Sequence, residues 1–284
     1  MTVSNHQHSV LLDQVFTLIN EKVNPKEAQL VQQFGQLLFK NMSFDDLSGR
    51  NDSDLYGTVI SLWQQLQEKQ KGTPLIKVIN PEIAKHGWQS SHTIIQIIVD
   101  DMPFLVDSIR MAINRLNISS HLILHTPMHF KRGTRVTEFV IPNGDEQAHI
   151  SETVFFIEID RQSRSSDIKK LTDELRSVVS EVSLSVSDWL PMREKLSDIT
   201  KIFDKVKDDN ADNVHAQART FLHWLNDHNF TLMGYRYYSV TAIEGDHRWT
   251  PDNNSSLGLM KNSVSDKDRL LSQMPATARD EALS

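Results

Sequence analysis

Apolar positions recur at steps of three and four through the first seventy residues, a period that predicts helices. Leu11, Val15, Leu18 and Ile19 make one stripe, and Leu30, Val31, Phe34, Leu37 and Leu38 make a second. A third stripe, Leu55, Val59, Leu62, Trp63 and Leu66, follows the capping cluster Asn51-Asp52-Ser53. Three amphipathic helices of this length can bury their stripes against one another as a small bundle. Lys71-Gly72-Thr73-Pro74 then breaks the period and predicts the first domain boundary.

After that break the period falls to two. Residues 75–80 read as a short strand, and residues 92–99 alternate as a longer one. Asp101-Met102-Pro103-Phe104 forms an acidic turn with proline near the helix start, and Leu105, Ile109, Ala112, Ile113 and Leu116 continue as a helical stripe. Residues 120–132 return to strand, with Leu122, Leu124, Met128 and Phe130 on one face. Gly133-Thr134 is a tight turn into residues 135–141, and Pro142-Asn143-Gly144-Asp145 marks a loop. Residues 152–160 form a further strand. A capped helix from Ser165 or Ser166 follows, carrying Ile168, Leu171, Leu175, Val178 and Val182.

This order is βαββα, the first five elements of a ferredoxin-like βαββαβ unit. The sixth element is not a strand, because Asp188-Trp189-Leu190-Pro191 leads into a charged helix over residues 192–207. The early strand at residues 75–80 is therefore expected to take the vacant edge, beside the strand at 92–99. Asp208-Asp209-Asn210-Ala211-Asp212-Asn213 reads as a polar hinge. Beyond it come a helix with Ala218, Phe221, Leu222 and Leu225 and an aromatic-rich strand over residues 230–240. Residues 252–284 are polar and show no apolar pattern that closes a second core. The reading is an α+β chain with a helical N-terminal segment (residues 1–72), a βαββα domain (73–192), and a helical linker and hinge (193–213). The start of a second α/β domain (214–284) follows, which the sequence leaves truncated.

Composition narrows the function classes. There are no cysteines, which removes disulfides, thiolate zinc sites and thiol nucleophiles. No apolar run approaches the roughly 18–20 residues that span a bilayer, and the first residues lack the basic and apolar parts of a signal peptide. These features fit a cytoplasmic chain with no membrane partner. The net charge of −7 argues against nucleic acid, whose binders carry a basic face. The densest basic clusters, residues 130–135 and Arg161 to Arg164, read as a solvated hairpin tip and a helix entrance.

The candidate chemistry is sparse. No glycines fall in the Gly-x-Gly-x-x-Gly or Gly-x-x-x-x-Gly-Lys spacing, so no common phosphate cradle is present, and Gly-x-Ser-x-Gly and His-Glu-x-x-His are absent too. No catalytic, cofactor-binding or metal-binding residue is assigned. His121, His125 and His129 recur at steps of four. In a strand that step is about 13 Å, so neighbours cannot share an ion whose bonds to nitrogen are about 2 Å. A polar strand face is the better reading, with a pH-sensitive surface as the alternative. Asp100, Asp101 and Asp107 cluster around Met102, Pro103 and Phe104. Helix capping and dipole stabilisation explain the acids structurally; recognition of an amino-group-bearing ligand, or contact with a partner domain, is the functional reading. Phe104 reads as an anchor of an interface or a core. Tyr235, Tyr237, Tyr238 and Trp249 read as strand packing rather than as a stacking platform.

The Asp-x-Pro-x-Leu turn, its Ile-x-x-x-Ile helix and the Asn117-Ile118 strand entry resemble ACT-type regulatory modules. Amino-acid-binding ACT modules usually carry glycine where this chain has Phe104. A closer resemblance rests on residues 76–81, Gly87-Trp88, the string from Asp100 to Ser108, residues 121–125 and residues 157–161. It continues through Asp188-Trp189, Met192-Arg193, Phe221-Leu222-x-Trp224-Leu225, residues 230–236 and Leu257-Gly258-Leu259. Over residues 75–260 the chain resembles the N-terminal region of the large bacterial NAD-specific glutamate dehydrogenases. That resemblance implies several ACT-like modules ahead of a catalytic region that oxidatively deaminates glutamate to 2-oxoglutarate with NAD. It also places phenylalanine at position 104 within the family's own pattern. Where the family tends to place proline directly after the histidine, this chain has His125-Thr126-Pro127, which leaves the register of that strand open. No residue here matches the family's catalytic lysine, aspartate or nucleotide-binding glycines. The chain alone is thus expected to be inactive and to hold no cofactor, NAD belonging to the parent enzyme. Its expected partners are the downstream catalytic region, further copies in a homo-oligomer and an amino-acid effector at Asp100, Asp101, Met102, Pro103, Phe104 and Asp107. The alternatives are a stand-alone amino-acid-sensing module and a purely structural oligomerisation module.

Overall fold

The computed structural model describes residues 2–40, 42–43, 46, 50–141, 149–205, 214–262 and 268–276. The chain divides into two compact units, Met1–Val179 and Ser180–Ser284. The loop expected at residues 142–145 and the hinge expected at 208–213 lie outside the described residues.

The first unit opens with α1 (Thr2–Lys22), α2 (Pro25–Phe39) and α3 (Asp52–Glu68). Asn24 and Asn51 cap the second and third, each side-chain oxygen accepting a backbone N–H of the first turn, at 3.0 and 2.7 Å. Val15, Ile19, Val31, Phe34, Leu38, Val59, Leu62 and Leu66 are almost wholly buried, as the three stripes require. Their core does not stop at the Lys71–Pro74 turn. It continues into Ile94, Ile98, Leu124, Phe130, Val154 and Phe156 of the sheet.

That sheet has five antiparallel strands in the order β1-β2-β5-β3-β4: β1 Leu75–Ile79, β2 Thr93–Asp100, β3 Ser120–Arg132, β4 Val136–Phe139 and β5 Ile150–Ile159. The early strand β1 occupies the edge beside β2, with Leu75 opposite Ile98 and Ile79 opposite Ile94. It takes the position that a returning sixth strand would fill in a βαββαβ unit. A short helix, α4 (Ile83–His86), ends on Gly87 at φ +74°, and this left-handed turn leads into the buried Trp88. Gly57 leaves the room Trp88 needs, since a Cβ there would lie 2.3 Å from the tryptophan Cβ.

Successive residues of β2 and β5 face opposite ways, and both sides are buried. One side carries Ile94, Gln96, Ile98, Val154 and Phe156 toward the N-terminal helices. The other carries Ile95, Ile97, Val99, Phe155, Ile157 and Ile159, all buried. The helices that follow β2 and β5 supply the matching apolar stripes: Leu105, Ile109, Ala112 and Ile113 on α5 (Leu105–Arg115), and Leu171, Leu175 and Val179 on α6 (Ser165–Ser187). Arg115 and Glu174 tie these two helices together at 2.7 Å.

β3 is one continuous strand through the His125-Thr126-Pro127 segment, paired with β5 from Ser120 to Phe130. Its irregularities fall at Ser120/Leu122 and Lys131/Arg132, not at the proline. Pro127 is tolerated because β4 pairs only with Phe130 to Arg132, so the ladder lacks nothing where the proline has no N–H to give.

In the second unit, α7 (Trp189–Lys205) and α8 (Val214–Trp224) accompany a sheet ordered β6-β7-β8: Gly234–Ile243, Asp246–Gly258 and Arg269–Leu270. Residues 252–258, the start of the polar stretch read above as patternless, are the end of β7. Asp252, Leu257 and Gly258 pair with β6, and residues 253–256 bulge out of the ladder opposite Tyr235 to Tyr237. Pro251 falls where β8 does not reach. Tyr238 and Trp249 pack at 6.3 Å between ring centroids, as strand packing predicts.

Candidate effector or contact site at the β2–α5 turn

β2 delivers Asp100 and Asp101 to the top of the sheet, and the pleat sends them to opposite sides. The Asp100 carboxylate accepts from Lys69 Nζ at 2.9 Å. Lys69 is itself fully buried, and it also donates to Glu152 on the neighbouring strand at 2.9 Å. Arg132 binds the same Glu152 through both terminal nitrogens, at 2.7 and 3.1 Å, and reaches the Leu66 carbonyl at 2.7 Å. Two cations thus surround one buried carboxylate at the edge of the helix-covered core. Arg132 therefore departs from the solvated hairpin-tip reading, while its neighbour Lys131 keeps to it, pairing with Glu138 on the surface.

Asp101 turns the other way. Its backbone N–H donates to the Ser151 carbonyl at 3.0 Å, and its carboxylate accepts a hydrogen bond from the Thr153 hydroxyl. It is also close enough to His125 to favour that imidazole's charged form. Burial against Phe155, 4.8 Å away between ring centroids, outweighs it and holds the His125 pKa below the ordinary value. Met102 is half-buried, and Pro103, Phe104 and Asp107 are exposed. The acids do not cap the helix as expected. The N-cap is Phe104 and no side chain caps the helix; Asp107 lies in the first turn, where only the dipole interaction remains.

Phe104 carries the informative geometry. Its φ is +71° and ψ −5°, a left-handed conformation that favours glycine. A bulky residue thus holds a backbone shape that glycine adopts more readily. The ring does not fill the space beside the turn: it is 53% exposed, so Phe104 is not a core anchor. Met111, further along α5, is 68% exposed. The turn and its helix thus present an apolar ring, an exposed methionine and the exposed acids Asp101 and Asp107.

The histidines of β3 go separate ways. His121 meets the Asp160 carboxylate at 2.7 Å and the His92 ring at 4.5 Å, His125 lies on Phe155, and His129 lies beside His149. Hydrogen bonding from His121 lowers the Asp160 pKa. Among the described residues no group of three or more potential ligands is placed to hold a metal ion. Nearby, Arg50 clamps the buried Glu158 through both terminal nitrogens, which holds the guanidinium more firmly protonated than usual.

Neither buried cluster was singled out from the sequence. The available signal was Glu152 and Glu158 at inward positions of an otherwise apolar strand, which demand partners. Nothing local to Lys69, just beyond a helix end, points to its role. In the second unit, two stretches that carried the family resemblance do meet. Asp188 is buried and accepts from the Gly258 N–H at 2.7 Å and from Lys261 at 2.6 Å. Burial works to raise its pKa, but these bonds outweigh it and the net shift is downward.

A family model described as "Glutamate dehydrogenase, ACT1 domain" matches residues 34–175, half of the chain and about four fifths of the first unit. The chain belongs to this family. It is also 32% identical over 254 residues to an NAD-specific glutamate dehydrogenase of Halomonas elongata, and 32% identical over 250 residues to one of Pseudomonas aeruginosa. These matches cover 88% and 87% of this chain but only 16% and 15% of the relatives. The glutamate dehydrogenase ACT1 family assignment agrees with the α+β architecture and the antiparallel sheet described above. No helix among the described residues is long and apolar enough to cross a membrane.

Proposed function

We propose that this chain serves as the N-terminal regulatory and assembly region of a large NAD-dependent glutamate dehydrogenase. The observation that carries this reading is the coverage: the similarity takes in most of this chain and about a sixth of each relative. In this reading the parent enzyme deaminates L-glutamate to 2-oxoglutarate with NAD in the cytoplasm, and the catalytic groups lie in its other regions. The chain's partners are those regions and further copies of itself.

Within that role, a contact surface at the β2–α5 turn is favoured over an amino-acid sensor. An exposed aromatic ring held at φ +71° is suited to insertion into a neighbouring surface. The sensor reading is the second one, and the paired exposed acids Asp101 and Asp107 are what favour it. The test is to remove the matching segment from the Pseudomonas aeruginosa relative and supply this chain in trans. Recovery of native oligomer size and of glutamate-dependent NADH formation is expected, together with loss of recovery for Phe104→Ser. Unchanged assembly and kinetics in the truncated relative would overturn the proposal. A saturable thermal shift of the chain with one amino acid, abolished by Asp101→Ala, would move the reading from contact surface to sensor.

A further inference from the structure

Away from the β2–α5 turn, the N-terminal helices and the tip of the β3–β4 hairpin enclose a cleft of about 610 Å³, a volume typical of small-molecule sites. Its apolar wall comes from Val23, Ile60 and the nearly buried Trp63. Three donors line it without an acceptor among the described residues. The Gln67 side chain is fixed in orientation, because its Oε1 accepts the Val136 N–H at 3.0 Å; its Nε2 is buried with no partner. A buried amide N–H left without an acceptor is costly. Lys22 is exposed and lies over the Tyr56 ring at 5.2 Å, with no carboxylate partner among the described residues, and burial raises the Tyr56 pKa. On the rim, Arg135 and Glu27 satisfy each other at 2.7 Å, and the Glu68 carboxylate is exposed with no cation partner among the described residues. A buried amide donor, an ammonium group and a phenol thus line one cleft beside an aromatic wall.

We propose that this cleft is a binding site for a small organic carboxylate with an apolar body, its carboxylate taken by Lys22, Gln67 Nε2 and the Tyr56 hydroxyl. The site is separate from the β2–α5 turn, and the inference stands whether or not the chain regulates a dehydrogenase. The test is a thermal-shift and calorimetric series on the 284-residue chain with benzoate, phenylacetate and 2-oxoglutarate. Benzamide, benzylamine and chloride at matched ionic strength serve as references. At least one carboxylate is expected to bind saturably and raise the midpoint by several degrees beyond chloride at saturation. Gln67→Glu keeps the acceptor for Val136 but replaces the orphan donor with a negative charge, and it is expected to abolish binding. Lys22→Met is expected to weaken binding at least tenfold. The proposal is overturned if no carboxylate outperforms chloride, if benzylamine binds in their place, or if binding survives both substitutions.

Discussion

The two faces of the five-stranded sheet handle polarity in opposite ways. On the side covered by α1, α2 and α3, charge is taken inside and matched: Lys69 and Arg132 around Glu152, Arg50 on Glu158, and a Gln65–Gln96 bond beneath Ser61. On the other side the buried strand positions are apolar except for Thr93 and Thr153, and the polar groups gather where cover runs out, at Asp101, His125 and His129. The first arrangement fixes how helices and sheet meet, because a buried carboxylate has only one place where its cations are. The second leaves a rim whose groups can meet something else. Fixed internal charge and an available polar edge are two outcomes of one strand alternation, decided by which helices lie above.

The sharpest way to break that contrast is Glu152→Ala. It strands Arg132 and deprives Lys69 of one carboxylate, and should cost about 3–5 kcal/mol in urea unfolding. A cost below about 1 kcal/mol would mean the cluster is not holding the helices to the sheet. Next comes Gly57→Ala, on the same side. Its Cβ would press into Trp88, and an overpacking loss of about 1–3 kcal/mol is expected in a denaturant melt. The exposed rim should respond far less. Phe104→Gly removes a left-handed strain of about 1–2 kcal/mol while loosening the unfolded chain by about 1 kcal/mol, so stability should move by no more than about 1 kcal/mol. A loss of several kcal/mol would show the ring packs inside the chain after all.

The smallest effect expected is a pH slope. Burial depresses the His125 pKa in the folded state, so below the ordinary histidine value the unfolded chain binds more protons and stability falls as pH is lowered. His125→Gln should flatten this part of the stability profile between the folded pKa and about 6.5. Asp101→Asn, by removing the charge that favours imidazolium, should depress the pKa further and extend the slope to lower pH. An unaltered profile in both variants would place the acid sensitivity elsewhere.

Much of the candidate site was legible before any coordinates. The turn from Asp100 to Asp107, the strand before it and the helix after it all follow from local spacing, and so does the separation of the three β3 histidines. The role of Phe104 was not legible. A left-handed φ is set by how the strand end and the helix start are joined in space, and phenylalanine gives no local sign of it. The buried clusters escaped for a different reason. Lys69 and Glu152 are 83 residues apart and Arg50 and Glu158 are 108 apart, so only folding shows that they meet. The end of β7 was missed because its polar side chains carry no period and residues 253–256 leave the ladder as a bulge.

The sequence by itself determined the periods of 3.6 and 2, the βαββα order, the edge place of β1, the capping of α3 and the family, because each is written in neighbouring residues or in the order of elements. Only the tertiary structure decided that the N-terminal helices and the sheet share one core, and which acids of the turn are spent inside and which face out. Those outcomes depend on long-range contacts, where the loss of water around an apolar face or a charge is shared between residues that the chain keeps far apart.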